Sequence, residues 1–418
     1  MTTSPLQEPL PVAETGAPIR QLGVREWARE NLFRTWLDTA LTVVFALVLA
    51  WVAYRLGRFV FVTGRWDVVD RNLTNILVFR FPRDELWRIW TALFILAATF
   101  GTAAGMAARA RDQAVQEGRV RPQEGQMALR RFGPVLLLVA VLLYFAGTPS
   151  AVLLTAGVAA VAVASRFAGY RVPPRHAKWG LLLAFAGVVA AFAAIIGFGG
   201  VGWDRWGGLM LTIFLAVGGI AISFPIGVLL ALGRRSTFPV VRLVCVAYIE
   251  LIRGVPLITV LFMGAFMLGF FLPPGTATPS LETRALVALV IFTAAYMAEI
   301  VRGGLQAVPR GQVEAAYALG LSPLRTMALI VLPQALRAVI PAMVGQFITL
   351  FKDTSLVAII GLTELLGVAD IITEQPDFIG QGLIFETLLF AAFVYWVGSY
   401  SMSRESQRLE RRLGVGQR

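Results

Sequence analysis

The sequence predicts an all-α integral membrane protein with about ten transmembrane helices. Apolar residues make up 57% of the 418 positions and charged residues only 15%, whereas soluble domains contain about 45–50% and about 25%. The apolar residues lie in long uncharged runs. The arginines that carry most of the net charge of +12 lie in short segments between those runs, as they do in membrane proteins.

Runs of apolar residues long enough to cross a bilayer occur along most of the chain. A membrane helix needs about 20 such residues, and its backbone groups must bond to one another because lipid offers no partners. Segment 133–166 is interpreted as two short helices around a turn at 147–150, because two crossings keep the arginine-rich segments on either side of it in one compartment. The predicted spans are approximately 37–57, 89–108, 133–148, 150–166, 180–200, 208–232, 243–272, 284–303, 336–361 and 383–402.

The distribution of arginine predicts the orientation of these spans. Short cytoplasmic loops are enriched in Lys and Arg. The segments predicted to be cytoplasmic are 109–132, 166–178, 233–242 and the C-terminal tail. Segments 273–283 and 363–382 contain neither residue and are predicted to face outward. Both termini are then cytoplasmic, and segment 58–88 lies outside in spite of its arginines.

The composition argues against several other functional classes. Nucleic-acid binding needs a soluble basic face, whereas these arginines border apolar runs. The lone cysteine, Cys245, and the lone histidine, His176, cannot form a His/Cys metal cluster, so no metal site is predicted. Neither of the two lysines, Lys178 and Lys352, belongs to a phosphate-binding G-x-x-x-x-G-K-[ST] motif. The chain is therefore predicted to be no enzyme and to hold no cofactor.

The most informative segment, 299–333, begins at the end of the eighth predicted span and continues beyond it. Its alanines favour a helix, and Gly320 suits the left-handed end of one. Ser322 can cap a following helix, and Pro323 fits the first turn of that helix. The segment is predicted to form a helix, a tight turn and a second helix, with a small-residue face suited to docking on a partner.

The spacing E-A-A-x3-G-x9-I-x-L-P, which runs from Glu314 to Pro333, resembles the coupling loop of bacterial ABC importer permeases at every position. In that family the loop docks into a cleft of the ATP-binding subunit and transmits its closure to the membrane helices. The resemblance implies that ATP and Mg²⁺ are bound by a partner ATPase rather than by this chain. The residues that it assigns to the coupling contact are Glu314, Ala315, Ala316, Gly320, Leu321 and Pro333.

The resemblance extends over about 207–405. The stretches 248–257, 295–304 and 352–356 are similar to the polar amino acid branch of these permeases, so the C-terminal half is expected to be a type I ABC importer permease core in a bacterial inner membrane. The first half is similar to the enlarged permeases of general or neutral amino acid importers, which implies a second, different permease as partner and a periplasmic binding protein. The predicted domains are a cytoplasmic tail at 1–34, an additional region of about five helices at 35–206, the permease core at 207–405 with its coupling loop at 304–334, and a tail at 406–418.

Charged pairs near the membrane spans are the candidates for contact with an amino acid zwitterion, because charges inside a span are costly. The pairs are Lys352–Asp353, Glu299–Arg302 and Glu250–Arg253. The last two pairs are each one helical turn apart and lie towards the cytoplasmic ends of their spans, so simple local ion pairing explains them equally well.

The function expected from these features is ATP-driven amino acid import by alternating access between two permease subunits. One alternative is an ion-coupled secondary transporter of small polar solutes, which often shows inverted repeats that this sequence lacks. Another is a membrane receptor or scaffold that binds the same ATPase without moving a substrate.

Overall fold

The computed structural model describes residues 23–118, 149–197 and 199–413. Within these ranges the chain is helical and forms no β-strand. The α-helices, numbered in chain order, are α1 (Val24–Asn31), α2 (Trp36–Arg58), α3 (Asp67–Val78), α4 (Leu86–Gln116), α5 (Pro149–Arg171), α6 (Gly180–Ile196), α7 (Gly208–Arg234), α8 (Pro239–Arg253), α9 (Leu257–Phe262), α10 (Leu281–Ala307), α11 (Arg310–Ala318), α12 (Pro323–Thr326), α13 (Leu332–Ala338), α14 (Ile340–Asp353), α15 (Leu365–Ile371) and α16 (Ile384–Leu413). These helices fall into two compact units, one ending at Arg65 and the other beginning at Trp66.

The predicted spans agree with the helices that the structure contains. In the described residues, eight helices are long and apolar enough to cross a membrane, or nine if the bent pair Pro239–Arg253 and Leu257–Phe271 counts as one span. Each predicted span coincides with one of these except 133–148, which lies outside the described residues together with the arginines of 119–132. The all-α membrane fold is confirmed.

In the first unit, α2 is an apolar helix of 23 residues with none of its residues buried. A capping box fixes its start, because Thr35 Oγ1 accepts the N–H of Asp38 at 3.1 Å while the Asp38 carboxylate accepts the N–H of Thr35 at 3.1 Å. Lipid is the solvent that suits such an uncovered apolar surface.

The span predicted at 243–272 is not one continuous helix. α8 ends at Arg253, α9 begins at Leu257, and the two axes are bent by 107°. The cause is Pro256, which has no N–H to donate and which disfavours the helical conformation in the residue before it. Its own backbone is extended, with φ −60° and ψ 141°, and it caps the start of α9.

Segment 58–88 is predicted to be a loop, but it contains the amphipathic helix α3. Val69, Leu73 and Ile76 repeat at helical spacing on one face, and they are buried against α15 and α16. The helix has 12 residues, so it is too short to span a bilayer and fails the length criterion used for the spans.

Small residues allow α4 and α5 to pack closely. A Cβ atom at Gly101 would lie 2.7 Å from the carbonyl oxygen of Ala162, and one at Gly105 would lie 2.7 Å from the backbone nitrogen of Tyr170. Both distances are too short for a side chain, so glycine at these two positions allows the close approach of α4 and α5.

The centre of the C-terminal half is the contact between α7 and α10. Leu211 and Leu215 of α7 and Leu289 of α10 are completely buried in one apolar cluster. Gly208 begins α7 with φ +56°, and its N–H donates to the carbonyl of Thr363 at 2.9 Å. This bond joins the start of α7 to the segment that leads into α15.

Candidate functional site

The predicted coupling segment forms a helix that ends in a left-handed turn. After α11 the chain closes a Schellman motif, in which Leu321 N–H donates to the Ala316 carbonyl at 3.1 Å and Gly320 N–H donates to the Tyr317 carbonyl at 2.9 Å. Gly320 has φ +78°, a conformation that is unfavourable for residues with a Cβ atom. The helix end predicted at Gly320 is confirmed.

The turn leads directly into α12. Ser322 has the extended backbone of a cap, with φ −68° and ψ 156°, but its side chain makes no capping hydrogen bond, and Pro323 occupies the first turn as predicted. A π-helical turn at Met327–Val331 then joins α12 to α13. Of the residues assigned to the coupling contact in this part, Leu321 is half-buried and Pro333 is exposed.

The side chains of α11 divide between an outer and an inner face. Glu314, Ala315 and Gly320 are exposed, and the neighbouring Leu319 is 82% exposed. Ala316 is only 3% exposed, so its methyl group holds the helix against the rest of the chain. We call the exposed residues Glu314, Ala315, Leu319 and Gly320 the coupling face.

A cluster of ion pairs lies where α7, α8 and α10 come together, and Glu299 is its centre. The Glu299 carboxylate lies 2.7 Å from Arg234, 2.8 Å from Arg302 and 3.5 Å from Arg253. Arg234 also lies 3.1 Å from Glu250. The Glu299 side chain is 15% exposed, so water screens these contacts only in part. We call these five residues the Glu299 cluster.

One of the two local pairs that the sequence allows is present and the other is not. Glu299 and Arg302 interact within α10 as their spacing permits. Glu250 instead contacts Arg234 of α7, while Arg253 contacts Glu299 and lies 5.7 Å from the ring centroid of Tyr296. Sequence spacing predicts only pairs within one helix, whereas Glu250 and Arg253 find their partners on α7 and α10.

Lys352 and Asp353 lie at the C-terminal end of α14. Lys352 is exposed and Asp353 is half-buried. The helical path from Pro333 is interrupted at Val339, between α13 and α14. Neither charged side chain makes an ion pair within the described part of the chain, so both are available for other groups.

Glu364 is a buried acid that the sequence interpretation missed, because it was assigned to an outward loop. It is 0% exposed. Tyr395 Oη donates to its carboxylate at 2.6 Å and Thr212 Oγ1 at 3.1 Å, while the N–H groups of Leu366 and Gly367 donate at 2.8 and 2.9 Å. Glu364 thereby caps α15 and links it to α7 and α16. Little in the sequence signals this role, because Glu is not among the residues preferred at the N-cap.

Stability should depend on pH through Glu364. Burial raises the pKa of this carboxyl above its usual value, although its four hydrogen bonds act in the opposite direction. A raised folded-state pKa contributes stability below the unfolded value of about 4.3, and this contribution is lost as pH rises through the folded pKa. As pH rises from about 4.3 through the folded-state pKa, the thermal unfolding midpoint of the wild type is expected to fall more steeply than that of Glu364→Gln. Identical pH profiles would refute this role. Thr212→Val removes one of the hydrogen bonds that lower the pKa of Glu364, so the fall in the unfolding midpoint should extend to higher pH.

The architecture places the chain in the class of transport permeases. It combines many membrane spans with an exposed helix held between two of them.

Comparison with known proteins identifies the family. Residues 223–415 match the family described as binding-protein-dependent transport system inner membrane component. The inner membrane amino-acid ABC transporter permease protein YhdY of Escherichia coli K12 is 52% identical over 212 residues, which cover 51% of this chain and 57% of that protein. The glutamate/glutamine/aspartate/asparagine transport system permease protein BztC of Rhodobacter capsulatus is 35% identical over 440 aligned positions, covering 96% of each chain. The BztB permease protein of the same system is 45% identical over 121 residues, covering 29% of this chain and 28% of BztB.

The chain belongs to the family of inner-membrane permeases of binding-protein-dependent ABC importers. The predicted type I permease core in the C-terminal half is therefore confirmed, and the secondary-transporter alternative is not favoured.

Proposed function

We propose that this permease imports amino acids, and that the end-to-end similarity to an amino acid permease protein carries this assignment. The similar proteins named above are amino acid permeases by their descriptions. An amino acid zwitterion needs a cationic and an acidic group along its path, and Lys352 beside Asp353 supplies both at the end of a membrane helix.

The energy for import comes from a separate ATPase that docks on the coupling face. The face is exposed, and the Schellman turn and buried Ala316 hold it rigidly, so closure of a partner around it would move α10 and α12 rather than deform the helix. ATP and Mg²⁺ belong to that partner. The chain itself is a transport subunit and not an enzyme.

A second, different permease completes the pathway, and a periplasmic binding protein delivers the substrate. The support is that BztB and BztC are two permease proteins of one transport system and that this chain is similar to both. Both termini are placed in the cytoplasm, together with the coupling face, on the basis of the arginine distribution.

We assign the substrate contact to Lys352 and Asp353 rather than to the Glu299 cluster. An exposed lysine on a span that faced lipid would cost about 2.5–3.5 kcal/mol, so Lys352 is better placed facing a polar pathway. The charged groups of the Glu299 cluster, by contrast, already form ion pairs: Arg302 and Arg253 contact Glu299, and Glu250 contacts Arg234. Their proposed role is structural, because these ion pairs join α7, α8 and α10.

Replacing Lys352 with methionine is therefore expected to lower amino acid uptake by about tenfold or more, because the substrate carboxylate loses one charge-assisted contact. Lys178→Met is the matched control, since Lys178 lies over the ring of Trp179 at 5.6 Å and not on α14. Radiolabelled amino acid uptake into cells checks both variants. Equal uptake by the two variants would remove Lys352 from the pathway.

The function as a whole is tested by reconstituting the permease with its co-purifying subunits in liposomes. Amino acid uptake should require ATP and should persist when no proton gradient is present. Uptake driven by a proton gradient without ATP would instead support the secondary-transporter alternative. ATPase binding without uptake would indicate a scaffold.

A further inference from the structure

A cavity of about 340 Å³ lies between the coupling helix α11 and the membrane core. Its walls come from the end of α10, from α11, from the turn 323–331 and from Arg235 just beyond α7. Pockets for small ligands have volumes of about 300–1,000 Å³, so this cavity is large enough for a small organic molecule.

One wall of the cavity carries a hydroxyl without a partner. Thr326 is 2% exposed, and its Oγ1 atom makes no hydrogen bond with any described residue. Buried polar atoms are normally hydrogen-bonded, and an exception points to a bound molecule or an ordered water. Thr326 lines the cavity, so a ligand there could supply the missing partner.

The charge of the cavity is positive. Arg235 and Arg310 both line it, and none of the described lining residues is acidic. Arg235 donates one N–H to the carbonyl of Leu305 at 3.3 Å, which leaves other guanidinium donors for a ligand. The acids in the neighbourhood do not neutralise this site, because Glu299 is held by three arginines and Glu314 lies on the coupling face.

We propose that this cavity binds an oxyanion, a phosphate or carboxylate carried on a short organic group. The guanidinium groups of Arg235 and Arg310 hold the charge, Thr326 Oγ1 donates to an oxygen, and Val308, Val313 and Met327 contact the organic part. Two sources share this chemistry. One is the headgroup of an anionic phospholipid, since basic pockets beside membrane helices bind such headgroups, and the other is a free organic phosphate.

A ligand in this position would brace α11 against α10 and α12. Binding would then tune how strongly ATPase closure is transmitted to the membrane. This consequence depends on the proposed docking of the ATPase, whereas the anion site itself depends only on the cavity. The anion site and the proposed docking of the ATPase can therefore fail independently, because anion binding is measured without measuring transport.

The test follows the thermal unfolding midpoint of the full chain in detergent with its bound subunits. The soluble probe is glycerol 3-phosphate, compared with KCl at equal ionic strength. The lipid probe is phosphatidylglycerol in mixed micelles, compared with phosphatidylcholine. The variants are Arg235→Gln and Thr326→Val. Arg242→Gln removes an exposed arginine of α8 that does not line the cavity, and Ser399→Ala removes another buried hydroxyl without a partner.

We expect one probe to raise the midpoint of the wild type and of both controls. Half-saturation should need at least about tenfold more probe in Arg235→Gln and in Thr326→Val, as the loss of one charged or one polar contact predicts. A response to glycerol 3-phosphate identifies a free phosphate, and a response only to phosphatidylglycerol identifies a lipid headgroup. The proposal is overturned if neither probe acts or if Thr326→Val responds like the wild type.

Discussion

Replacing Ala315 with arginine is expected to reduce ATP-dependent uptake by about 30-fold or more while the permease stays folded. Ala315 is exposed on the coupling face, so the long side chain causes no clash within this chain. It would, however, keep the face from entering a closely fitting cleft, and truncating or blocking a central interface residue commonly costs about 2 kcal/mol or more. Uptake assays and co-purification of the ATPase should decline together.

The matched control for Ala315→Arg is Thr237→Arg. Thr237 is also exposed, and it lies in the short turn between α7 and α8, outside the coupling face. This variant adds the same charge and size to the chain but should leave uptake unchanged. If Ala315→Arg retained both uptake and the bound ATPase, the coupling face would have to be sought elsewhere.

Replacing Glu299 with glutamine is expected to lower the free energy of unfolding by about 3 kcal/mol. The change leaves Arg234, Arg253 and Arg302 close together with only Glu250 as a counter-ion. Removing one partner from a largely buried ion pair costs about 3–5 kcal/mol, because the remaining charge is left without compensation. Chemical or thermal unfolding of the solubilised protein measures the loss.

Glu250→Gln is the control, because it removes the other acid of the Glu299 cluster. The Glu250 side chain is 56% exposed and contacts only Arg234 in this cluster, so its removal should cost less than about 1 kcal/mol. In the double variant Glu299→Gln/Arg302→Gln the loss should be smaller than the sum of the single losses, since the two residues interact directly. Equal effects of Glu250→Gln and Glu299→Gln would show that Glu299 is not the centre of the cluster.

Features set by the local chain could be predicted from sequence. The membrane spans follow from the length of uncharged apolar runs, and the left-handed turn at Gly320 follows from the rarity of that conformation in other residues. The break before α9 was signalled by Pro256, although the predicted span ran through it. Each of these properties depends on residues close together in the chain.

Features set by distant contacts could not be predicted in the same way. The partner of Glu250 is Arg234 on another helix, which no spacing within α8 reveals. Glu364 receives hydrogen bonds from Thr212 and Tyr395, which are far from it in sequence. The helix α3 could have been predicted from the helical spacing of its apolar residues. A search for apolar runs long enough to span a membrane misses it, because it has only 12 residues.

The bend between α8 and α9 has a consequence for how the chain enters the bilayer. α8 has 15 residues, and the piece from Leu257 to Phe271 is equally long, so each is shorter than the roughly 20 residues that hold an independent helix across the membrane. Both pieces pack against α10, which is synthesised after them. Their stable insertion into the membrane therefore requires α10, so this region is expected to insert only after α10 has been synthesised. A ribosome stalled before α10 is complete should leave this region accessible to protease.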